Sequence, residues 1–348
     1  MSALPLSNAA GFPLWINAAV FLAAAVVVWL CGTRLTRYTA AIAAKSGMGQ
    51  AFAGMLLLGC ITSLPEVANC INAASIGNPG LAINNLLGSA AINVLLLAVV
   101  DAAVGREAVT SMVAKPSTLM MATLCMLVLV AVAMAIVVGD MAIGGFGVAA
   151  VLIATLSIGS FWLASGYDKR SRWHASAPER ERQKKEGTGE NDSLQGLLVR
   201  TSVAGVIIFI AGYTLSQIGD AIADQTGIGS GMVGFALIGT STSLPELSTI
   251  YAALLMRRYE LAFGQVLGTN FVNLSLIIVA DGFFTGGPVI NELGRFEIVS
   301  ALLGTLLIGI FLVGLLERHN PKILKMGYDS LVVMILFAGG LVLLYFVQ

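Results

Sequence analysis

Ten apolar runs of about 20 residues follow one another along the 348-residue chain, each the length that carries an α-helix through a bilayer. They fall near 13–32, 47–76, 81–104, 117–138, 142–165, 198–219, 227–256, 260–284, 297–316 and 326–347. The second and seventh are long, and each is interrupted by a proline, Pro65 and Pro245. Proline has no N–H and its ring clashes with the carbonyl four residues back. The pattern therefore predicts two broken helices, with the carbonyls of Ile61 and Ser241 freed. Between the fifth and sixth runs lies "GYDKRSRWHASAPERERQKKEGTGENDSLQG", whose mixed charge and lack of apolar periodicity read as a solvated linker. The expected fold is an all-α polytopic membrane protein with ten transmembrane helices. A first five-helix unit covers 1–166, a linker 167–197 and a second five-helix unit 198–348.

The two units repeat one another. Residues 47–101 align with 227–281 without a gap, so that Gly47, Gly49, Gly54, Gly59 and Gly88 meet Gly227, Gly229, Gly234, Gly239 and Gly268. "TSLPE" at 62–66 meets "TSLPE" at 242–246; Ser89 meets Thr269, Asn93 meets Asn273, and Asp101 meets Asp281. Chance likeness between apolar helices would match Leu, Ala and Val, whereas these matches fall on glycine and polar residues. Five spans is an odd number, so the second unit enters the membrane from the opposite side. Inverted repeats of this kind place the site of a secondary transporter at the midplane, where broken helices meet.

Basic residues orient the chain. Arg34, Arg37, Lys45, Arg106, Lys115, Lys169, Arg170, Arg172, Arg180, Arg182, Lys184, Lys185, Arg200, Arg257, Arg258, Arg318, Lys322 and Lys325 all fall on one side of a ten-span topology, and Arg295 alone on the other. The positive-inside rule makes the crowded side cytoplasmic, with the linker inside and both termini outside. Lys45, inside, corresponds to Gln225, outside, as inversion requires.

Composition narrows the function. The chain is 57% hydrophobic and 11% charged, with mean hydropathy +0.89, against about 25% charged residues in soluble domains. Net charge is zero, so no global field favours nucleic acid. Cys31, Cys60, Cys70 and Cys125 lie in apolar stretches without a C-x-x-C pair and read as small core residues. His174 and His319 both fall in polar connections, which removes a histidine cluster or proton relay from the membrane. The amino-terminal "MSALPLSNAAGFPLW" has no basic n-region, so the first apolar run is expected to be retained. There is no H-E-x-x-H, no Ser/His pair and no aspartyl dyad motif, which argues against an intramembrane hydrolase.

What remains is oxygen chemistry. Thr62 and Glu66 are four apart and share a helical face, as do Thr242 and Glu246, Ser89 and Asn93, and Thr269 and Asn273. Together they offer carboxylate, hydroxyl, amide and carbonyl oxygens, a set suited to a hard cation such as Ca²⁺ or Na⁺. Two carboxylates balance one Ca²⁺ or two Na⁺. An unpaired carboxylate at mid-membrane costs about 3 kcal/mol or more, so crossing with the site empty is unfavourable and exchange is expected. Asp101 and Asp281, eight residues beyond the asparagines, fall near the ends of their spans and read as capping or interfacial residues.

The twin "TSLPE" motifs, each followed by G-[ST]-x-x-x-N, resemble the calcium/cation antiporter superfamily, specifically its sodium/calcium exchanger branch of prokaryotic type. The resemblance covers nearly the whole chain. It implies four adjacent cation sites, one favouring Ca²⁺ and the others Na⁺. Thr62, Glu66, Thr242 and Glu246 correspond to Ca²⁺ ligands. Ser63, Ser89, Ser243 and Thr269, with the carbonyls of Gly59 and Gly239, correspond to Na⁺ ligands, and Asn93 and Asn273 line the middle position. The family is thought to switch access by sliding the first and sixth spans across a rigid core. Asn273 stands where many prokaryotic relatives carry Asp, which argues against potassium coupling and against proton binding there. Ile61 precedes Thr62 where glycine is usual, and "GSAAIN" lacks the asparagine that "GTNFVN" keeps at Asn270. The expected activity is Na⁺/Ca²⁺ antiport across the inner membrane of a prokaryote, without enzymatic chemistry and without a cofactor, a monomer sufficing. H⁺-coupled transport of Ca²⁺, Mn²⁺ or Mg²⁺ is the alternative, disfavoured by the hydroxyl-rich motifs and the scarcity of intramembrane acids.

Overall fold

A computed structural model describes residues 11–105, 108–113, 115–165, 167, 193–226, 242–317, 322–323 and 325–347. Eleven helices in this range organise the fold: α1 Leu14–Ser46, α2 Gln50–Thr62, α3 Leu64–Ser75, α4 Pro79–Val104, α5 Pro116–Val138, α6 Val148–Ala164, α7 Leu194–Thr226, α8 Leu244–Leu255, α9 Tyr259–Phe283, α10 Arg295–Glu317 and α11 Tyr328–Val347. Among the described residues, seven helices are long and apolar enough to cross a membrane, or eight if α2 and α3, bent by 45° at Ser63, count as one span. The shorter α6 and α8 occupy the positions expected for the fifth and seventh spans. Residues 227–241, the linker from 168 to 192, Gly239 and the Ser241 carbonyl lie outside the described residues.

The 180-residue repeat is written into the element boundaries. α1 and α7 begin and end 180 positions apart, as do the starts of α3 and α8, α4 and α9, and α6 and α11. α1 and α7 are longer than hydropathy predicts, each running to 33 residues. The reason is amphipathic extension: "TRLTRYTAAIAAKS" carries charge that ends an apolar window, yet it buries Leu35, Thr36, Thr39, Ala40 and Ala43 on one face.

Two small hairpins depart from a purely helical fold. β1 (Ala142–Ile143) pairs with β2 (Phe146–Gly147), and β3 (Lys322–Ile323) with β4 (Met326–Gly327), all antiparallel. The first turns on Gly144 and Gly145, at φ 63° and 90°, the pair of positive values that a tight hairpin demands. Each hairpin is held by the other half of the molecule. Asp281 accepts the N–H of Gly147 at 2.6 Å and of Val289 at 2.7 Å. Asp101 accepts the N–H of Gly327 at 2.9 Å and of Val109 at 3.1 Å, and the Ser330 hydroxyl at 2.7 Å. The capping role expected for these two residues is therefore met, and it crosses between the halves.

α4 and α9 form the centre: 72% and 78% of their most apolar windows are buried inside the protein, against 17% for α1 and 22% for α11. The outer helices turn large apolar side chains such as Leu22, Leu152, Val313 and Phe346 outward, as lipid contact requires. α2 lies against α9 almost backbone to backbone. A Cβ at Gly268 would stand 2.5 Å from Met55 Cα, and one at Gly59 would stand 2.9 Å from Thr269 N. Gly264 meets the Ala51 carbonyl and Gly54 the Leu261 carbonyl in the same way. Glycine at these four positions permits the close helix approach seen between membrane helices. Six residues of α2, Gly54–Gly59, are wound as π-helix, a local widening often found beside functional sites.

Candidate cation site

The breaks put the two motifs at the centre. Ser63 ends α2 at φ −80°, ψ −1°, Pro65 lies in the first turn of α3, and Glu66 follows in that turn. Ser243, Pro245 and Glu246 repeat the arrangement at the start of α8. Glu66 and Glu246 are each 1% exposed and sit close enough for their charges to repel one another. The Thr62 hydroxyl lies beside the Glu246 carboxylate, so one half's hydroxyl faces the other half's acid. An ion pair joins Lys115 to Glu260.

The other predicted residues within the described range are buried as well. Thr242, Ser63, Ser243, Ser89, Thr269, Asn93 and Asn273 are all buried to 3% exposure or less. Gly59 lies against Gly268 and Thr269; Gly239 is outside the described residues. The Ser63 hydroxyl donates to the Gly59 carbonyl at 2.7 Å, a back-bond common for hydroxyls in membrane helices. That bond uses the Ser63 proton and leaves its oxygen lone pairs as acceptors.

Polar atoms without a hydrogen-bond partner are common among these residues. They include Glu66 Oε2, both carboxylate oxygens of Glu246, Thr62 Oγ1, Ser243 Oγ, Thr269 Oγ1, Asn93 Oδ1 and both polar atoms of Asn273. Buried polar groups are ordinarily satisfied because leaving one unpaired costs about 1–3 kcal/mol. A dehydrated cation would satisfy the oxygens together. Among the described residues no three His, Cys, Asp or Glu side chains cluster, so the donor set is two carboxylates with neutral oxygens, which suits Ca²⁺ or Na⁺ rather than zinc or copper.

Two further residues belong to this region. Asn270 donates from Nδ2 to the carbonyl of Ala90, its own counterpart in the other half, at 3.2 Å, and accepts from Asn93 Nδ2 at 3.4 Å. The pseudo-twofold axis thus passes beside it, and one asparagine serves both halves. Gln265, fully buried, donates to Thr249. Its signal in the sequence is its place four residues before Thr269 in "GQVLGTN".

The packing around the site is not symmetric. A Cβ on Gly32 of α1 would strike Ser248 Oγ and stand 3.3 Å from Thr249 Cγ2 on α8. The equivalent Gly212 of α7 rests on Pro65 of α3, with an added Cβ 2.7 Å from its Cγ. Pro65 corresponds to Pro245, so α1 sits on α8 about one helical turn, roughly 5 Å, further along than α7 sits on α3. Ser248 and Thr249 are 0% exposed, while their counterparts Ala68 and Asn69 are half-buried.

A helix broken at one acid, and a repeated copy that places the second acid in the first turn of α8, fit the build of a secondary transporter. A family model described as sodium/calcium exchanger protein matches residues 16–156 and 196–348. The chain belongs to that family, and it is a multi-pass membrane antiporter rather than an enzyme. Among solved structures, the sodium-calcium exchanger NCX_Mj soaked with 100 mM Na⁺ and 10 mM Sr²⁺ superposes with a TM-score of 0.69 at 18% identity, over 95% of this chain and 99% of that one. Among relatives, CaxA of Alkalimonas amylolytica, a protein named for antiport, is 26% identical over 311 residues, covering 86% of this chain and 91% of its own. The inner membrane protein YrbG of Escherichia coli (strain K12) is 24% identical over 308 residues, covering 87% and 90%.

Proposed function

We propose that this chain exchanges Na⁺ for Ca²⁺ across the cytoplasmic membrane of a prokaryote by alternating access, with the ions held between Glu66 and Glu246. The observation that carries the reading is the pair of buried acids, one from each half, with unpartnered oxygens contributed by both halves. Thr62, Thr242, Ser63, Ser89, Ser243, Thr269, Asn93, Asn273 and the carbonyls of Gly59 and Gly239 complete the ligand set. One Ca²⁺ neutralises both carboxylates, as two Na⁺ do. Crossing empty leaves two repelling anions in low dielectric, each costing about 3 kcal/mol or more, so movement is tied to cargo and exchange becomes obligatory.

The halves span 1–166 and 198–348, and the linker 167–197 faces the cytoplasm, with both termini outside. In that orientation α8 lies in the cytoplasmic half of the membrane and α3 in the outer half. The tight seat of α1 on α8, against the looser seat of α7 on α3, supports an outward-facing state. A single chain suffices, since both acids come from it.

The test is ⁴⁵Ca²⁺ uptake into proteoliposomes loaded with Na⁺, compared with K⁺-loaded vesicles and with an imposed pH gradient. Uptake driven by outward Na⁺ alone supports the reading. Uptake driven equally by the proton gradient overturns the Na⁺ coupling in favour of H⁺-coupled transport.

A further inference from the structure

Outside the ligand set, the two central helices carry a matched pair of carboxamides. On α9, Gln265, Thr269 and Asn273 recur every four residues and so form one stripe, with steps of about 6 Å. On α4, Asn85, Ser89 and Asn93 form the equivalent stripe. Because the halves are inverted, Gln265 lies one turn from the acids toward one membrane face, and Asn85 lies one turn from them toward the other.

The Gln265 side chain is fully buried and only half satisfied. Thr249 gives its single hydroxyl proton to the carbonyls of Pro245 and Glu246, both at 2.9 Å. Its oxygen can then only accept, which fixes Gln265 with Nε2 toward Thr249 and leaves Oε1 without a partner. Tying α8 to α9 accounts for Nε2 but not for Oε1. An apolar side chain of similar size would fill the same space without an orphaned acceptor. On the other side, Asn69, the counterpart of Thr249, accepts from Ser216 of α7 at 3.2 Å, and Asn85 is half-buried, so what singles it out is its correspondence to Gln265.

We propose that Gln265 and Asn85 are transit ligands for the transported cation, one on each route into the midplane site. The inference rests on the exchange reading above. A neutral carboxamide oxygen replaces one water of a partly hydrated ion without adding charge. Six to eight oxygens surround Ca²⁺, and rapid passage needs intermediate sites that bind firmly enough to admit the ion and weakly enough to release it. Gln265 would meet the ion next to the acids on the cytoplasmic route, shut in this conformation, and Asn85 on the outer route.

The experiment measures the KM for Ca²⁺ at each face separately, using right-side-out and everted membrane vesicles carrying the full chain. Gln265→Leu should raise KM at the cytoplasmic face about tenfold and leave the other face within about twofold, a change the size of one lost charge-assisted contact. Asn85→Leu should do the reverse, while equilibrium Ca²⁺ binding in detergent stays within about twofold of wild type for both, since the acids are untouched. Equal shifts at both faces, or none, overturn the proposal. Should Gln265→Leu fail to fold, the near-isosteric Gln265→Glu takes its place and should lower KM at the cytoplasmic face; an unchanged KM again overturns it. Wild-type vesicles that exchange, with Glu66→Gln vesicles that do not, keep the exchange reading standing whichever way Gln265 behaves. Wild-type vesicles that fail to exchange bring down both.

Discussion

The two halves of this molecule use the same chemistry and pack it differently. Each supplies a "TSLPE" break with its acid, a hydroxyl and an amide on the following helix, and an aspartate that crosses to the other half's hairpin. Yet α1 seats on α8 a turn further along than α7 seats on α3, and Thr249 is buried where Asn69 is half-exposed. If exchange runs as proposed, access is a matter of helix register and affinity a matter of the shared core. If the halves traded registers, the same ligands would face the opposite side of the membrane, as inverted repeats allow. Two such arrangements of one sequence must lie within a few kcal/mol of each other for cargo to shift them.

The comparison can be broken most severely at the acids. Glu66→Gln and Glu246→Gln should each reduce ⁴⁵Ca²⁺ exchange by at least about 100-fold, because either change leaves one negative charge for a divalent ion in low dielectric. A tolerant position in either half would show that the site belongs to the other half alone. Next is the register itself. Gly32→Ala strains the seat of α1 on Ser248, and overpacking of this kind costs about 1–3 kcal/mol. The population should move toward the alternate register, read as roughly tenfold faster thiol labelling of a Thr249→Cys background. Unchanged labelling would mean that α1 does not slide.

The clasps offer a smaller and more graded test. Asp101→Asn and Asp281→Asn should each lower thermal stability in detergent by about 1–2 kcal/mol. Asp101 should be the costlier loss, since it also accepts from Ser330. A neutral result at one alone would break the reciprocity. The smallest effect is expected at the pair without a counterpart. Glu260, buried beside Lys115, corresponds to Gly80 in the first half. Glu260→Gln should cost about 1 kcal/mol, because the partly exposed lysine can turn its ammonium toward water.

Much of this was legible in the sequence, and the reason is physical. A bilayer demands long apolar runs, so spans show; duplication copies glycine and polar residues, so the repeat shows; and prolines beside Glu66 and Glu246 announce the breaks. Cys70 and Cys125 are buried, in keeping with their reading as core residues, whereas Cys31 and Cys60 are half-buried. Other features left weaker traces. The carboxy-terminal extension of α1 hides because Arg34, Arg37 and Lys45 depress hydropathy without interrupting the helix. Strands two residues long carry no alternation to detect. The orphaned oxygen of Gln265 depends on where Thr249 sends its proton, which no spacing rule reveals. The slip between α1 and α7 leaves no trace, because Gly32 and Gly212 are the same residue at equivalent positions.

The reciprocal aspartates also bear on how the protein is made. Gly147 leaves the ribosome long before Asp281, so the first hairpin waits, with its amide unclaimed, until the second unit has been inserted. Neither unit should mature alone, and a chain severed in the linker should regain a protease-resistant form only when both pieces are synthesised in the same membrane.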